Sequence, residues 1–213
     1  MIGHRLTRET IDSAAALRDL IGTPTTLVCA KLSDRLNQLT RQFIERSPLV
    51  CLATCDESGH CDVSPRGDPR GFVRILDDAT LLLPERPGNR IADSLLNILR
   101  NPQVGLLFVI PGVGDMLRVN GRATLISDTK LLEPCAVEGK IPRVGILVDI
   151  DSAFTHCSKA SLRALLWDPA QFVDRAELPS NGEIMKLLNG ADFDATQYDV
   201  ERAGRYARRE GFY

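Results

Sequence analysis

The sequence predicts a mainly β protein, an antiparallel barrel with helices added at both ends. Two observations carry this reading. About seven short apolar segments follow one another between residues 49 and 150, with turn signatures between most of them. A single helical stretch, 87–100, is inserted among them, so the regular strand–helix alternation of a doubly wound sheet is missing.

The elements follow in order. Residues 7–46 read as two helices. Thr7 is placed to cap the first, which runs to Leu20 and Ile21 and stops at Gly22-Thr23-Pro24. In the second, Leu32, Leu36, Leu39 and Phe43 form one apolar stripe, and Ser47-Pro48 ends it. Strand texture begins at 49–55, turns over Asp56-Glu57-Ser58-Gly59 and returns at 61–64 as a hairpin. A second pair, 71–76 and 80–83, flanks Asp77-Asp78-Ala79. The helix 87–100 lies between Pro87-Gly88-Asn89 and Asn101-Pro102. A continuous apolar strand spans 104–110. In 117–127, Leu117, Val119, Gly121, Ala123 and Leu125 share one face, and Arg118, Asn120, Arg122 and Thr124 the other. A further strand covers 144–150. Helices are expected over 155–166, ending near Trp167-Asp168-Pro169, and over 183–188 and 195–209.

Composition narrows the function classes. Against 28 Asp and Glu stand 26 Lys and Arg, a net charge of -2, which gives no general attraction to nucleic acid or anionic membrane. No apolar run approaches the roughly 20 residues of a membrane span. The first ten residues are polar and carry no secretory core, so a cytoplasmic protein with reduced thiols is expected. The six cysteines lack the paired spacing of a zinc site, and no metal is expected. Cys51 and Cys55 fall on one face of an apolar strand and read as core filling. His156, Cys157 and Lys159 are close in sequence, but their spacing supports no catalytic triad. Nucleotide-loop, nucleophile-elbow and metalloprotease motifs are all missing.

Two segments next to strand ends concentrate Arg, Gly and small polar groups. One is Ser64-Pro65-Arg66-Gly67-Asp68-Pro69-Arg70-Gly71; the other is Pro84-Glu85-Arg86-Pro87-Gly88-Asn89-Arg90, leading into a helix. A helix N-terminus offers free amides to an anion. Arginine adds a planar fork for phosphate oxygens, and Gly88 permits close backbone approach. Arg66, Arg70, Arg86 and Arg90 thus gather positive charge in two loops that one anion could use. By composition alone, the same residues also suit solvated turns.

The order of these motifs resembles the pyridoxamine 5′-phosphate oxidase-like family of FMN-binding split barrels, and within it the FMN-dependent oxidoreductases. The resemblance runs from about residue 49 to 167. It rests on Asp62-Val63-Ser64-Pro65-Arg66-Gly67-Asp68, Leu81-Leu82-Leu83-Pro84-Glu85-Arg86-Pro87-Gly88-Asn89-Arg90, Asn97, Asn101-Pro102, Gly105-Leu106-Leu107-Phe108 and Leu117-Arg118-Val119-Asn120-Gly121-Arg122-Ala123. Phe154-Thr155-His156-Cys157-Ser158-Lys159-Ala160 and Trp167 complete it. It implies a six-stranded antiparallel split barrel, a homodimer and FMN at the dimer interface. It further implies cofactor contacts from Ser64, Pro65, Arg66, Gly67 and Asp68, and from Pro84, Arg86, Gly88, Asn89 and Arg90. Lys159 and Trp167 would approach from the partner subunit.

The chain departs from the true oxidases in two places. Ile91 follows the second cluster where they carry another basic residue, and their C-terminal Trp and Arg pattern is not recognisable in 195–213. Oxidation of vitamin B6 is therefore not expected. The implied activity is hydride or electron transfer between FMN and a small-molecule donor or acceptor, with no protein residue demanded as catalyst. The alternatives are a flavin carrier or sensor without turnover, or a split barrel that binds F420 or haem. The expected organisation is a helical extension over 1–47, the barrel over 48–168 and a helical segment over 169–213, forming one compact domain.

Overall fold

A computed structural model of the chain describes residues 9–213. It divides into two compact units, one up to Leu32 and one spanning Ser33–Tyr213. In the first, α1 (Ala14–Ile21) is capped by Ser13, whose hydroxyl accepts the Ala16 amide at 3.2 Å. The expected cap, Thr7, lies outside the described residues. Gly22, at φ 77°, ends α1 in a conformation that favours glycine. A single turn, α2 (Thr26–Cys29), follows.

The second unit runs α3 (Gln38–Arg46), β1 (Leu49–Cys55), β2 (Cys61–Gly67), β3 (Arg74–Ile75), β4 (Thr80–Pro84) and α4 (Asp93–Arg100). It continues through β5 (Gln103–Val109), β6 (Met116–Ile126), α5 (Thr129–Leu132), β7 (Gly145–His156), α6 (Lys159–Arg163), α7 (Asn181–Asn189) and α8 (Ala195–Ala207). The strands form one antiparallel sheet in the order β2-β1-β5-β6-β7-β4-β3. Seven strands stand, as the run of apolar segments predicts, where the resemblance implied six; the two-residue β3 is the extra one.

The sheet is rolled. Val50 and Leu52 of β1 lie four strands away from Leu81 and Leu83 of β4, which in a flat sheet is about 19 Å. All four nevertheless belong to one buried cluster with Leu106, Phe108, Leu117, Val119, Ile146 and Val148. Only a sheet coiled on itself brings its inward faces together in this way. No backbone ladder among the described residues joins β2 to β3 or β4, so the barrel stays split along that line. α4 packs across β1, β2 and β6, with Ile98 in the core. The Asn97 amide donates to the buried Thr54 hydroxyl at 3.1 Å.

Local chemistry explains where the elements differ from expectation. The predicted helix through Leu32, Leu36, Leu39 and Phe43 is interrupted. Asn37 caps α3 by accepting the amides of Leu39 and Thr40, while Thr40 accepts the Asn37 amide. Ser33 bridges to Ala153. Leu36 is buried, but Leu32 and Leu39 are exposed. α4 begins at Asp93, six residues later than predicted, because Arg90 and Ala92 have φ values of 64° and 63°. β7 runs to His156, where a helix was expected to have begun, because the long β6 supplies a ladder beyond a bulge at Asn120/Gly121. A side chain at Gly121 would collide with the Asp149 carbonyl. The predicted helix shrinks to α6. Cys51 and Cys55 do share a face, but it is the outward one: Val50, Leu52 and Thr54 point into the core, and of the six cysteines only Cys135 is buried.

α7 and α8 pack on each other. Ser180 and Glu183 form a capping box at the start of α7, and the Gly182 amide donates to Asp199 at 2.8 Å. No helix among the described residues is long and apolar enough to cross a membrane.

Candidate functional site

Alternation along β2 puts Asp62, Ser64, Arg66 and, just past its end, Asp68 on one side, half-buried, while Cys61, Val63, Pro65 and Gly67 face outward and are exposed. A strand with four polar residues turned inward needs partners for them. The exit of β4 and the start of α4 supply them. Ser94 donates to Asp62 at 2.9 Å and shares a hydrogen bond with Ser64 at 3.0 Å. Arg66 donates to Ser64 at 3.2 Å and pairs with Glu85. Arg86 pairs with Asp68 at 2.6 Å and donates to the Cys135 carbonyl at 2.8 Å. The two segments that the sequence singled out therefore meet, and side chains close the split of the barrel where no ladder does.

The Asp68–Arg86 pair is deep, with side-chain exposures of 1% and 15%. The phenol of Tyr213 donates to the other oxygen of Asp68 at 2.7 Å, and its ring lies 5.2 Å from the Arg86 guanidinium carbon. The hydrogen bond to Asp68, with burial and the Asp68 charge behind it, raises the phenol above its ordinary value of 10.0. Lys140 holds the Tyr213 main-chain oxygen at 3.1 Å, and Arg209 pairs with Glu138 at 3.5 Å, so this end of the chain is tied down at three places.

The loop before α4 is built differently. Pro87, Gly88, Asn89 and Arg90 are exposed, and Arg90 makes no ion pair among the described residues. Asn89 accepts the Ile91 amide at 3.0 Å. The N-cap of α4 is Ala92, whose side chain accepts nothing, so the first amides of the helix have no side-chain acceptor there. Asp93 in the same turn adds a negative charge.

The sequence singled out the arginines but missed most of their partners. Glu85 pairs with Arg66 and Asp68 with Arg86, so two of the four arginines already have a carboxylate partner. Period-two alternation from Asp62 to Asp68 was the available signal. Ser94 and Tyr213 left none, since only the fold brings them to β2. Pro84 is buried at the end of β4. Lys159 starts α6, and Trp167 donates its indole N–H to the Val113 carbonyl at 2.9 Å. Among the described residues no hydrogen bond or ion pair joins these two to the β2 cluster. Nearby, Arg118 lies over Phe154, whose ring meets His156 edge-on at 5.1 Å. Burial and the Arg118 charge lower the His156 pKa.

Of the donors around α4, the Arg90 guanidinium and the uncapped helix start are the ones no side chain takes up, and both suit a phosphate; the Ser94 proton goes to Asp62, the Ser64 proton to Ser94, and Arg66 pairs with Glu85. Arg66 would have to share its charge between that anion and Glu85. No group of three or more His, Cys, Asp or Glu residues suited to a metal ion occurs among the described residues.

Comparison with known proteins places this region in context. The family described as pyridoxamine 5′-phosphate oxidase matches residues 36–157, more than half of the chain. No curated protein matches. Among solved structures, HupZ of Group A Streptococcus is 19% identical, over 56% of this chain and 93% of its own, with a TM-score of 0.45. An FMN-binding protein from Syntrophomonas wolfei is 13% identical, over 56% of this chain and 89% of its own, with a TM-score of 0.43. An F420 reductase is 18% identical, over 55% of this chain and 98% of its own, with a TM-score of 0.43.

Proposed function

We propose that this chain, which belongs to the pyridoxamine 5′-phosphate oxidase family, is an FMN-dependent oxidoreductase that acts on a small molecule as a homodimer. The observation that supports this most is the meeting of residues 62–68 with residues 84–94, both inside the family-matched region, around a helix start with no side-chain cap. Arg90, the uncapped start of α4 and Arg66 would hold the phosphate, Ser64 and Ser94 would position Arg66 through their hydrogen-bond chain to Asp62, and Gly88, with open space where a side chain would stand, would let the backbone come close. Asn89 would line the approach, while Pro65 and Gly67, which face the other side of β2, would reach the cofactor through their backbone alone, with Lys159 and Trp167 contributed by the partner subunit. Asp68 and Arg86 would act from behind, by fixing where β2 ends relative to the β4 exit. Bound FMN would supply the redox chemistry, accepting or giving up a hydride. The chain's own part is to bind, orient and shield. Oxidation of vitamin B6 is not the proposed activity, because 195–213 lacks the Trp and Arg pattern of those oxidases.

The absorption spectrum of the purified protein tests the reading, together with FMN titration of the stripped chain. Flavin bands and saturable FMN binding are expected. Haem bands, F420 fluorescence or a colourless protein that ignores FMN would overturn it. Anaerobic reduction by NADH or NADPH, followed by repeated turnover with added acceptors, separates an enzyme from a carrier. Light scattering of the FMN-loaded protein should give the mass of a dimer.

A further inference from the structure

The far end of the β1–β2 hairpin carries a feature that the flavin reading does not use. Cys55 and Cys61 are directly opposite in the register. The Asp56 amide donates to the His60 carbonyl at 2.9 Å, and at the other end the Asp68 amide donates to the Pro48 carbonyl at 3.1 Å. Both bonds mark 48/68, 50/66, 52/64, 54/62 and 56/60 as the hydrogen-bonded pairs. Cys55/Cys61 is therefore a non-hydrogen-bonded pair, the kind in which opposing side chains lie closest and within the span a disulfide needs. The two sulfurs are 2.9 Å apart. Cys61 is exposed and Cys55 half-buried, on the outward face of the sheet. The loop between them is braced, because Asp56 accepts the amides of Ser58 and His60 and meets the His60 ring at 3.1 Å. No other two cysteines among the described residues are in sulfur contact.

We propose that Cys55 and Cys61 are a reversible dithiol–disulfide site, oxidised by hydroperoxides and restored by small thiols. Cys61 is the first nucleophile, since it is exposed while Cys55 is half-buried. The hydrogen bond between the two sulfurs is the main reason the Cys55 thiol is raised above its ordinary pKa. The Cys61 thiolate attacks one peroxide oxygen, so an S–O bond forms, the O–O bond breaks and water leaves after protonation. The Cys55 sulfur then loses its proton and attacks the sulfenic sulfur, forming the S–S bond and releasing a second water. In sum, two thiols lose two electrons and two protons, and one hydrogen peroxide becomes two waters. A thiol such as glutathione reverses the change by exchange, itself becoming a disulfide.

The test uses the full chain treated with hydrogen peroxide, blocked with N-ethylmaleimide and cut by a glutamyl protease, which cleaves after Glu57 between the two cysteines. Two of the six thiols should be lost, and the fragments on either side of Glu57 should stay joined until a reductant is added. The oxidised protein should keep monomer mobility on a non-reducing gel. Cys51 lies in the same fragment as Cys55, so Cys55→Ser must abolish the link and Cys51→Ser must leave it. In Cys55→Ser, a sulfenic acid trap should label Cys61. Fragments that separate without reductant, or a link that survives in Cys55→Ser, would overturn the proposal.

Discussion

β2 and the loop from Pro87 to Ala92 have nearly the same ingredients, namely proline, glycine, arginine and a small polar residue, yet the fold uses them oppositely. Along β2 the charges are consumed: Arg66 meets Glu85, Asp68 meets Arg86, and Asp62 and Ser64 share Ser94. In the loop, Arg90 is exposed and unpaired among the described residues, the backbone turns through two left-handed residues and the helix that follows starts uncapped. The comparison separates two jobs that composition merges. One arginine-rich segment chiefly closes the barrel, and in the proposed site only its Arg66 also serves the ligand; the other is free for one.

The strongest way to break this comparison is Asp68→Ala. It leaves Arg86 buried without its carboxylate, which costs about 3–5 kcal/mol. Denaturant unfolding should show the loss, and a stability within 1 kcal/mol of the parent would mean the pair does not hold the split closed. The next contrast is Arg90→Ala against Arg66→Ala. Each should weaken FMN binding by about 1.5–3 kcal/mol, roughly ten- to 150-fold. Only Arg66→Ala should also lower the unfolding midpoint, because only Arg66 belongs to the closing network. Equal effects of both on stability, or none on affinity, would erase the distinction.

The smallest expected effect is that of Tyr213→Phe, which removes one hydrogen bond to a charged acceptor from a half-buried ring and should cost about 1.5 kcal/mol at neutral pH. Its pH dependence has a definite sign. The folded phenol is raised above its ordinary value of 10.0, so its contribution is complete below that value and fades as pH climbs through the raised one. Parent and variant should therefore converge in stability at strongly alkaline pH. A gap that persists there would remove Tyr213 from the network.

Much of the architecture was legible in the chain. The strands at 49–55, 104–110 and 117–127 declared themselves by apolar runs or alternation, and each is found within a residue or two. What failed was local competition. The stripe from Leu32 to Phe43 has helical spacing, but the Asn37 side chain captures its own downstream amides and restarts the helix. Residues 151–156 carry no strand signal of their own; the long β6 that pairs with them extends the strand past 150 and into the stretch expected to be helix. At the site, the arginines were visible because arginine next to glycine at a helix start is a recognisable chemistry. Ser94 and Tyr213 were not, because their partners, Ser64 on β2 and Asp68 just past its end, lie 30 and 145 residues away.

Pro65 carries one last consequence. It faces Cys51 at a non-hydrogen-bonded position of the ladder, since 50/66 and 52/64 are the bonded pairs. The N–H that proline lacks would have pointed away from β1, toward the open flank of the sheet. A foreign strand laid along that flank would find a missing donor in the middle of its template. The barrel that leaves one side of β2 without a backbone partner thus also denies that side to aggregation by strand addition.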